Sequence, residues 1–129
     1  MATFRSLIEA EPDFAPALNY LGYMWAERGE NLEAALDLVR RAVALDPDNG
    51  AYVDSLGWAY FQLGRLVEAR SHLERASRLI PDDATILEHL GDAQVAAGDR
   101  AAGRESYRRA AALGGDNLRA VQKKLADLE

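Results

Sequence analysis

Histidines and carboxylates are the side chains of this 129-residue sequence that could carry acid–base or metal chemistry, since it contains no cysteine. His89 is flanked by Glu88 and Asp92, and Asp54 could face it from a neighbouring helix. Catalysis would need a nucleophile aligned with a base, and the sequence offers no such pair. One histidine among scattered carboxylates is weak evidence for a metal site. We therefore predict no catalytic residue, no metal and no other cofactor.

Charge and hydropathy exclude further classes of function. The net charge is −6, which argues against electrostatic binding to nucleic acid or to an anionic membrane surface. No stretch approaches the ~20 apolar residues of a membrane span, so no direct membrane insertion is expected. The segment GGDN at 114–117 lacks the lysine and hydroxyl residue of a phosphate-binding loop. The second histidine, His72, is expected to be a solvated helix residue, and the compartment stays undetermined.

The elements that position these residues repeat along the chain. Leu-Gly pairs occur at 21–22, 56–57 and 90–91, and Ala42, Ala76 and Ala110 are spaced by 34 residues. The series agree if the first copy carries one extra residue in the segment GENLEAA. Alanine, leucine, arginine and glutamate are abundant and runs of β-branched residues are missing, so an all-α fold is predicted.

The copies resemble the tetratricopeptide repeat family, whose 34-residue helix-turn-helix follows W-x2-L-G-x2-Y, then A-x3-F, then P. The second copy reads Val53-x2-Leu56-Gly57-x2-Tyr60, Ala69-x3-Leu73, Pro81. The first reads Leu18-x2-Leu21-Gly22-x2-Trp25, Ala35-x3-Val39, Pro47, and the third departs furthest, with Gln94, Gly103 and Gly115 at motif positions. The resemblance implies a right-handed α-α superhelix of antiparallel helix pairs, a solenoid.

The predicted organisation is a single domain spanning residues 1–129. It comprises an unpaired second helix of a partial repeat at 1–13, repeats at 15–48, 50–83 and 84–116, and a capping helix at 117–129. First helices, or A helices, should begin near residues 15, 50 and 84, and second helices, or B helices, near 32, 66 and 100. The partial repeat favours a fragment of a longer array over a chain that is capped by this lone helix.

Glycines and caps supply the local rules. Gly22, Gly57 and Gly91 fall in the middle of A helices, where we expect a crossing helix too close for a side chain. Glycines at 29, 64 and 98 should end the A helices in a left-handed conformation. The segments DPDN and IPDD should end B helices and cap the A helices that follow.

The last segment, GGDNLRAVQKKLADLE, should form an amphipathic helix with Asn117 as its N-cap. Leu118, Val121, Leu125 and Leu128 should face inward. Lys123 and Lys124 should lie on a polar outer face, which suits a capping helix.

In tetratricopeptide proteins the A helices line a concave surface that receives a partner segment, so the resemblance implies such a groove here. The predicted groove residues are Asn19, Tyr20, Tyr23, Glu27, Asp54, Trp58, Phe61, Gln62, Glu88, His89 and Asp92. Rings beside acids suit peptide binding, because aromatic side chains give contact area at low entropic cost. The alternative, left open, is that Trp58 and Tyr23 only pack against adjacent A helices.

The charges of the A helices indicate the ligand. Their only Lys or Arg is Arg28, whereas the B helices are rich in arginine. Chaperone-binding members of the family hold a C-terminal carboxylate with Lys, Arg and Asn, and Asn19 is the lone match here. We therefore predict an adaptor, not an enzyme, that binds a protein or peptide segment with apolar and basic residues. The rival hypothesis is self-association through Phe4, Leu7 and Ile8 at the N-terminal end.

Overall fold

A computed structural model describes residues 14–128, which form seven α-helices and no strand. The helices are α1 (Ala15–Arg28), α2 (Leu32–Leu45), α3 (Gly50–Gln62), α4 (Leu66–Leu79), α5 (Ala84–Ala96), α6 (Arg100–Leu113) and α7 (Leu118–Leu128). The predicted helix starts are thereby confirmed. Phe4, Leu7 and Ile8, and the predicted helix at 1–13, lie outside the described residues.

The helices pack as successive antiparallel pairs, α1 with α2, α3 with α4 and α5 with α6. Each pair rests on the next, since α2 contacts α3 and α4 contacts α5, while α7 packs on α6. The A helices α1, α3 and α5 also contact one another in order, so they share one face. A pair buries its apolar stripe only against its neighbours, which is how a solenoid builds a continuous core.

Side-chain caps and glycine turns fix where the helices begin and end. Asn49 and Asp83 accept hydrogen bonds from the amides of Tyr52 and Ile86 at 3.2 and 3.0 Å, as N-caps of α3 and α5. Such caps typically contribute about 1 kcal/mol each. The turns after α1, α3 and α5 each contain a glycine with φ between 68° and 90°, as predicted.

The mid-helix glycines mark the close crossings that the sequence predicts. A Cβ atom would lie 2.6 Å from Val39 Cγ1 at Gly22 and 2.7 Å from Leu73 Cγ at Gly57. At Gly91 it would lie 2.5 Å from the ring of Tyr107. Each A helix therefore touches its own B helix at a point where no side chain fits.

Helix α7 closes the C-terminal end of the core. Val121 and Leu128 are buried against Leu87 and Tyr107 of the last pair, which confirms the inward face predicted for this helix. Asn117 precedes α7, and its carbonyl accepts the first helical hydrogen bond from Val121.

Candidate peptide-binding surface

Four predicted groove residues lie around one cavity on the face formed by the A helices. This A-helix cavity, of about 210 Å³, is lined by Asn19, Tyr20, Tyr23, Ala51, Asp54, Ser55, Asp83, Thr85 and Ile86. The lining comes from α1, from α3 and from the start of α5, so three successive A helices build it. A second cavity of about 250 Å³ lies along α1, and its lining includes Tyr20, Tyr23 and Glu27.

Acidic side chains give the A-helix cavity its electrostatic character. Asp54 and Asp83 are in the lining, and no Lys or Arg of residues 14–128 is. Burial raises the pKa of Tyr23 above its ordinary value, and the carboxylates of Glu27 and Asp54 raise it further. Tyr23 therefore remains a neutral hydroxyl at physiological pH and adds no negative charge.

A buried histidine–carboxylate pair lies beneath this surface. His89 Nδ1 is 2.9 Å from Asp54 Oδ1, and both residues are buried. Burial alone lowers the pKa of His89, but the carboxylates of Asp54, Asp92 and Glu27 more than offset that effect and raise it. The sequence-based expectation that Asp54 faces His89 is confirmed, and the pair joins α3 to α5.

Packing, the alternative left open above, describes most of the surroundings of Trp58. Its ring stacks on His89 at 4.0 Å and on Phe61 at 4.8 Å between centroids, and only 9% of the residue is exposed. Gln62 also makes a contact within the protein. Its side-chain amide donates to the Ala26 carbonyl at 2.8 Å, which links α3 to α1. Contact of Trp58 and Gln62 with a ligand stays a prediction.

The predicted groove residues Glu88 and Asp92 of α5 form hydrogen bonds with other residues of the chain. Lys124 of α7 donates to Glu88 Oε2 at 2.8 Å and to both oxygens of Asp92 at 3.0 Å. Asn117 donates to Glu88 Oε1, and the Tyr107 hydroxyl donates to Asp92. Glu88 and Asp92 are predicted groove residues, but the structure places both beneath a cation from the same chain.

The electrostatics of this cluster follow from its hydrogen bonds. Burial alone would raise the pKa of Glu88, but the bonds from Lys124 and Asn117 lower it. Burial alone would lower the pKa of Lys124, but the two carboxylates raise it. Glu88 and Lys124 are therefore both charged at neutral pH.

Two sequence-based expectations need correction. Lys124 should lie on the polar outer face of α7, yet its ammonium donates to Glu88 and Asp92 of α5, because a long side chain can reach beyond its own helix. The position of α7 in the repeat could have predicted this contact. It follows the B helix α6, where the A helix of a further repeat would lie beside α5. His72 is not solvated but half-buried, with its ring parallel to that of Tyr60 at 5.4 Å.

Residues 14–128 contain neither a membrane-spanning helix nor a metal-binding cluster. None of the helices in this range is long and apolar enough to cross a membrane. Within the same residues, no group of three or more histidines and carboxylates is arranged to hold a metal ion.

Family models and relatives agree with the fold and the repeat. Two models described as tetratricopeptide repeat match residues 30–88 and 2–50. The chain belongs to the tetratricopeptide repeat family. This membership confirms the predicted all-α solenoid, a fold whose members generally mediate protein–protein interactions.

The similar proteins include bacterial tetratricopeptide repeat proteins. TPR repeat-containing protein PA4667 of Pseudomonas aeruginosa is 38% identical over 88 residues, which cover 68% of this chain and 15% of that protein. A solved structure of PilF of Pseudomonas aeruginosa has a TM-score of 0.81 and 26% identity, covering 97% of this chain and 56% of its own. The chain therefore spans only part of these relatives.

One further neighbour was solved with a peptide. The first TPR of Spaghetti (RPAP3), bound to the HSP90 peptide SRMEEVD, has a TM-score of 0.72 and 24% identity, with coverage of 87% of this chain and 93% of that one. At this identity the likeness shows the fold alone.

Proposed function

We propose that the chain is a protein-interaction module that binds a segment of a partner protein on the surface of α1, α3 and α5. The observation that carries the proposal is the A-helix cavity, since it draws residues from three successive A helices. The proposed ligand is an extended or helical segment with apolar residues and Lys or Arg. No enzymatic role and no cofactor are proposed.

The exposed rings on α1 support the apolar part of this ligand. Tyr20 is 53% exposed at the edge of both cavities, and Tyr23 lies between them. Tyrosine supplies a large contact area with few rotatable bonds, so little entropy is lost when a partner covers it. Met24 lines the cavity along α1 and adds an adaptable apolar side chain.

The negative charge of the two cavities supports the presence of basic residues in the proposed ligand. Asp54, Asp83 and Glu27 line the two cavities, and Arg28 at the end of α1 is the only cation that the described part of the chain contributes to their lining. The peptide bound by the Spaghetti domain is rich in acidic residues, and a ligand of the opposite sign fits this chain. Like charges across an interface disfavour the wrong partner by several kcal/mol, so we expect acidic segments to be rejected.

A peptide selection tests the proposal. The purified chain is used to enrich a phage-displayed random peptide library, and the affinity of enriched peptides is measured by fluorescence anisotropy. We expect sequences with apolar and basic residues, and at least tenfold weaker binding by the double variant Tyr20→Ala and Tyr23→Ala, about 1.4 kcal/mol. The matched control is Val67→Ala, an exposed apolar residue of α4 on the B-helix side.

The contrary results are equally definite. A selection that enriches no peptide, or enriches acidic ones, contradicts the proposed ligand. Equal loss of affinity in Val67→Ala and in the tyrosine variant would contradict the proposed surface. Self-association through the N-terminal residues is the rival proposal, and sedimentation over a range of concentrations tests it, with a monomer at every concentration counting against it.

A further inference from the structure

We infer that Arg40 of α2 and Arg65 at the start of α4 form a contact site for one Asp or Glu side chain of a partner protein. Neither arginine lines the two cavities on the A helices, so the inference goes beyond the proposed function. It rests on a comparison of two equivalent junctions between helix pairs. One junction has a bridging counter-charge from the chain itself, and the other does not.

The junction of the second and third pairs shows how close the two positions are. Glu74 of α4 and Asp99 at the start of α6 are bridged by Arg70. Its Nε atom is 3.0 Å from Glu74 Oε1, and its Nη2 atom is 2.8 Å from Asp99 Oδ2. Side chains at these positions, although they belong to different pairs, are therefore close enough for one charged group to contact both.

The junction of the first and second pairs has charges of the opposite sign at the same positions. One repeat length earlier, Arg40 and Arg65 replace the two carboxylates, and the buried Leu36 replaces the bridging arginine. Among residues 14–128, Arg40 forms no ion pair, and its guanidinium donates to the uncharged hydroxyl of Tyr60. The two arginines therefore lack the bridging counter-charge that the equivalent carboxylates have.

The two guanidinium groups are placed around one aromatic ring and remain accessible to a ligand. The Cζ atoms of Arg40 and Arg65 lie 5.6 and 5.5 Å from the centroid of the Tyr60 ring. Arg40 Nη2 donates to the Tyr60 hydroxyl at 2.8 Å, which orients the group before a ligand binds. Arg40 is exposed, and so is 51% of the Arg65 side chain. A guanidinium has five N–H donors, so both groups keep donors for a ligand.

Neighbouring titratable groups add no further net charge. His72 lies with its ring parallel to that of Tyr60 at 5.4 Å. Burial lowers the pKa of His72, and Arg75 and Arg40 lower it further, so the imidazole is neutral at physiological pH. Arg75 is itself paired with Asp48 at 3.0 Å.

The charge of the site matches a carboxylate. Glu68 pairs with Arg65 at 3.3 Å, but 44% of its side chain is exposed, and such surface pairs contribute little to stability. The charge of Arg40 is left without a carboxylate from the described part of the chain. One negative charge on a ligand balances it, whereas a phosphate dianion would also meet the repulsion of Glu68.

The contact is expected to be weak on its own. We expect a Kd on the order of millimolar for one carboxylate at an exposed pair of arginines. The site therefore adds one charged contact to a larger interface and does not by itself enrich acidic peptides in a selection.

Small probes test the inference without knowledge of the partner. The ¹⁵N-labelled protein is titrated with N-acetyl-glutamate amide, with its neutral analogue N-acetyl-glutamine amide and with inorganic phosphate. We expect saturable shifts of the Nε–H signals of Arg40 and Arg65 with the glutamate probe. Affinity for the glutamine probe should be at least about tenfold weaker, because charge-assisted hydrogen bonds are lost. Equal affinities for these two probes would overturn the site, and tighter binding of phosphate would overturn the assignment to a carboxylate.

Variants separate the site from general charge attraction. Arg40→Gln and Arg65→Gln should each weaken binding of the glutamate probe by at least about threefold. The matched control, Arg78→Gln, removes the same charge from an exposed position in the last turn of α4 and should not. If Arg40→Gln disturbs packing around Tyr60, Arg65→Gln still decides, since Arg65 is exposed and its ion pair is with the nearby Glu68. Equal weakening in Arg78→Gln would overturn the site.

Failure here is distinguishable from failure of the proposed function. Enriched basic peptides without glutamate shifts at either arginine would overturn the carboxylate site and leave the binding module intact. Glutamate shifts at Arg40 and Arg65 without any enriched peptide would support the site and contradict the proposed function.

Discussion

The two ends of the A-helix surface use the same repeat positions in opposite ways. Around α1 and α3, Asn19 and Asp54 border a cavity that no Lys or Arg of residues 14–128 lines. Around α5, the acceptors Glu88 and Asp92 hold the ammonium of Lys124. We call the first region the open end and the second, which α7 occupies, the closed end.

The difference shows what α7 contributes to the helix pair before it. A carboxylate on one A helix takes its donor from the next element of the array, as Asp54 does from His89. After the last pair the next element is α7, which therefore covers apolar core with Val121 and supplies charge with Lys124. A helix that only shielded the core would have needed no inward cation.

The largest expected effect is on the closed end, through Gly91→Ala. The added Cβ would meet the Tyr107 ring, which is buried and held by its hydrogen bond to Asp92. We expect a net loss of about 2 kcal/mol in the free energy of unfolding, because overpacking outweighs the gain in helix propensity. Urea unfolding measures the loss.

The matched control at the open end is Gly57→Ala. There the new Cβ meets the side chain of Leu73, which is aliphatic and makes no hydrogen bond that fixes its position. We expect a smaller loss than for Gly91→Ala. A rise in stability at Gly91, as helix propensity alone predicts, would contradict the close crossing.

A somewhat smaller effect is expected from Lys124→Met, which should convert the closed end into an open one. Glu88 and Asp92 are mostly buried and would lose their cation, at a cost of about 1–2 kcal/mol after allowance for the partly exposed lysine. The freed carboxylates should also strengthen binding of basic peptides. Urea unfolding and fluorescence anisotropy test the two effects.

Lys123→Met is the control. Lys123 is exposed on the same helix, and its substitution removes the same charge. If the two variants lose equal stability, the cluster around Lys124 contributes nothing specific.

Much of the fold was predictable because its rules are local. Asn49 and Asp83 cap helices in the segments where the sequence predicts caps, and Gly22, Gly57 and Gly91 mark the crossings. These features depend on neighbours along the chain and on a period repeated three times. A repeated signal is stronger than any single motif, since errors in one copy are exposed by the others.

The site was less predictable because it depends on where long side chains turn. Helical periodicity places Lys124 on a polar face, but cannot say that its ammonium reaches α5. It likewise predicts that Trp58 faces the groove, but does not show that both His89 and Phe61 stack on its ring. Contacts between the groove-facing side chains of neighbouring A helices depend on the spacing of the helix pairs, which one sequence does not specify.

The smallest expected effects come from the two histidines, whose pKa values shift in opposite directions. His89 has a raised pKa, so its contribution to stability is fully present below its unfolded pKa, about 6.5, and is lost as pH rises through its folded value. His72→Gln serves as the comparison. Burial, assisted by Arg75 and Arg40, lowers the pKa of His72, so its contribution falls as pH drops.

Urea unfolding at pH 5.5 and pH 8.5 should therefore show a larger deficit for His89→Gln at the lower pH. The deficit for His72→Gln should be larger at the higher pH. The sign of each change with pH follows from the direction of the corresponding pKa shift. Deficits that do not vary with pH would contradict the assigned charges.

The central claim is that a partner segment meets the open end of the A-helix surface and not the end that Lys124 occupies. The most direct measurement is chemical-shift mapping of the ¹⁵N-labelled protein with a basic peptide enriched in the selection. The account predicts shifts concentrated at Asn19, Tyr23 and Asp54, with Glu88 and Asp92 little changed. Shifts centred on Glu88, Asp92 and α7, with Asn19 unmoved, would contradict it.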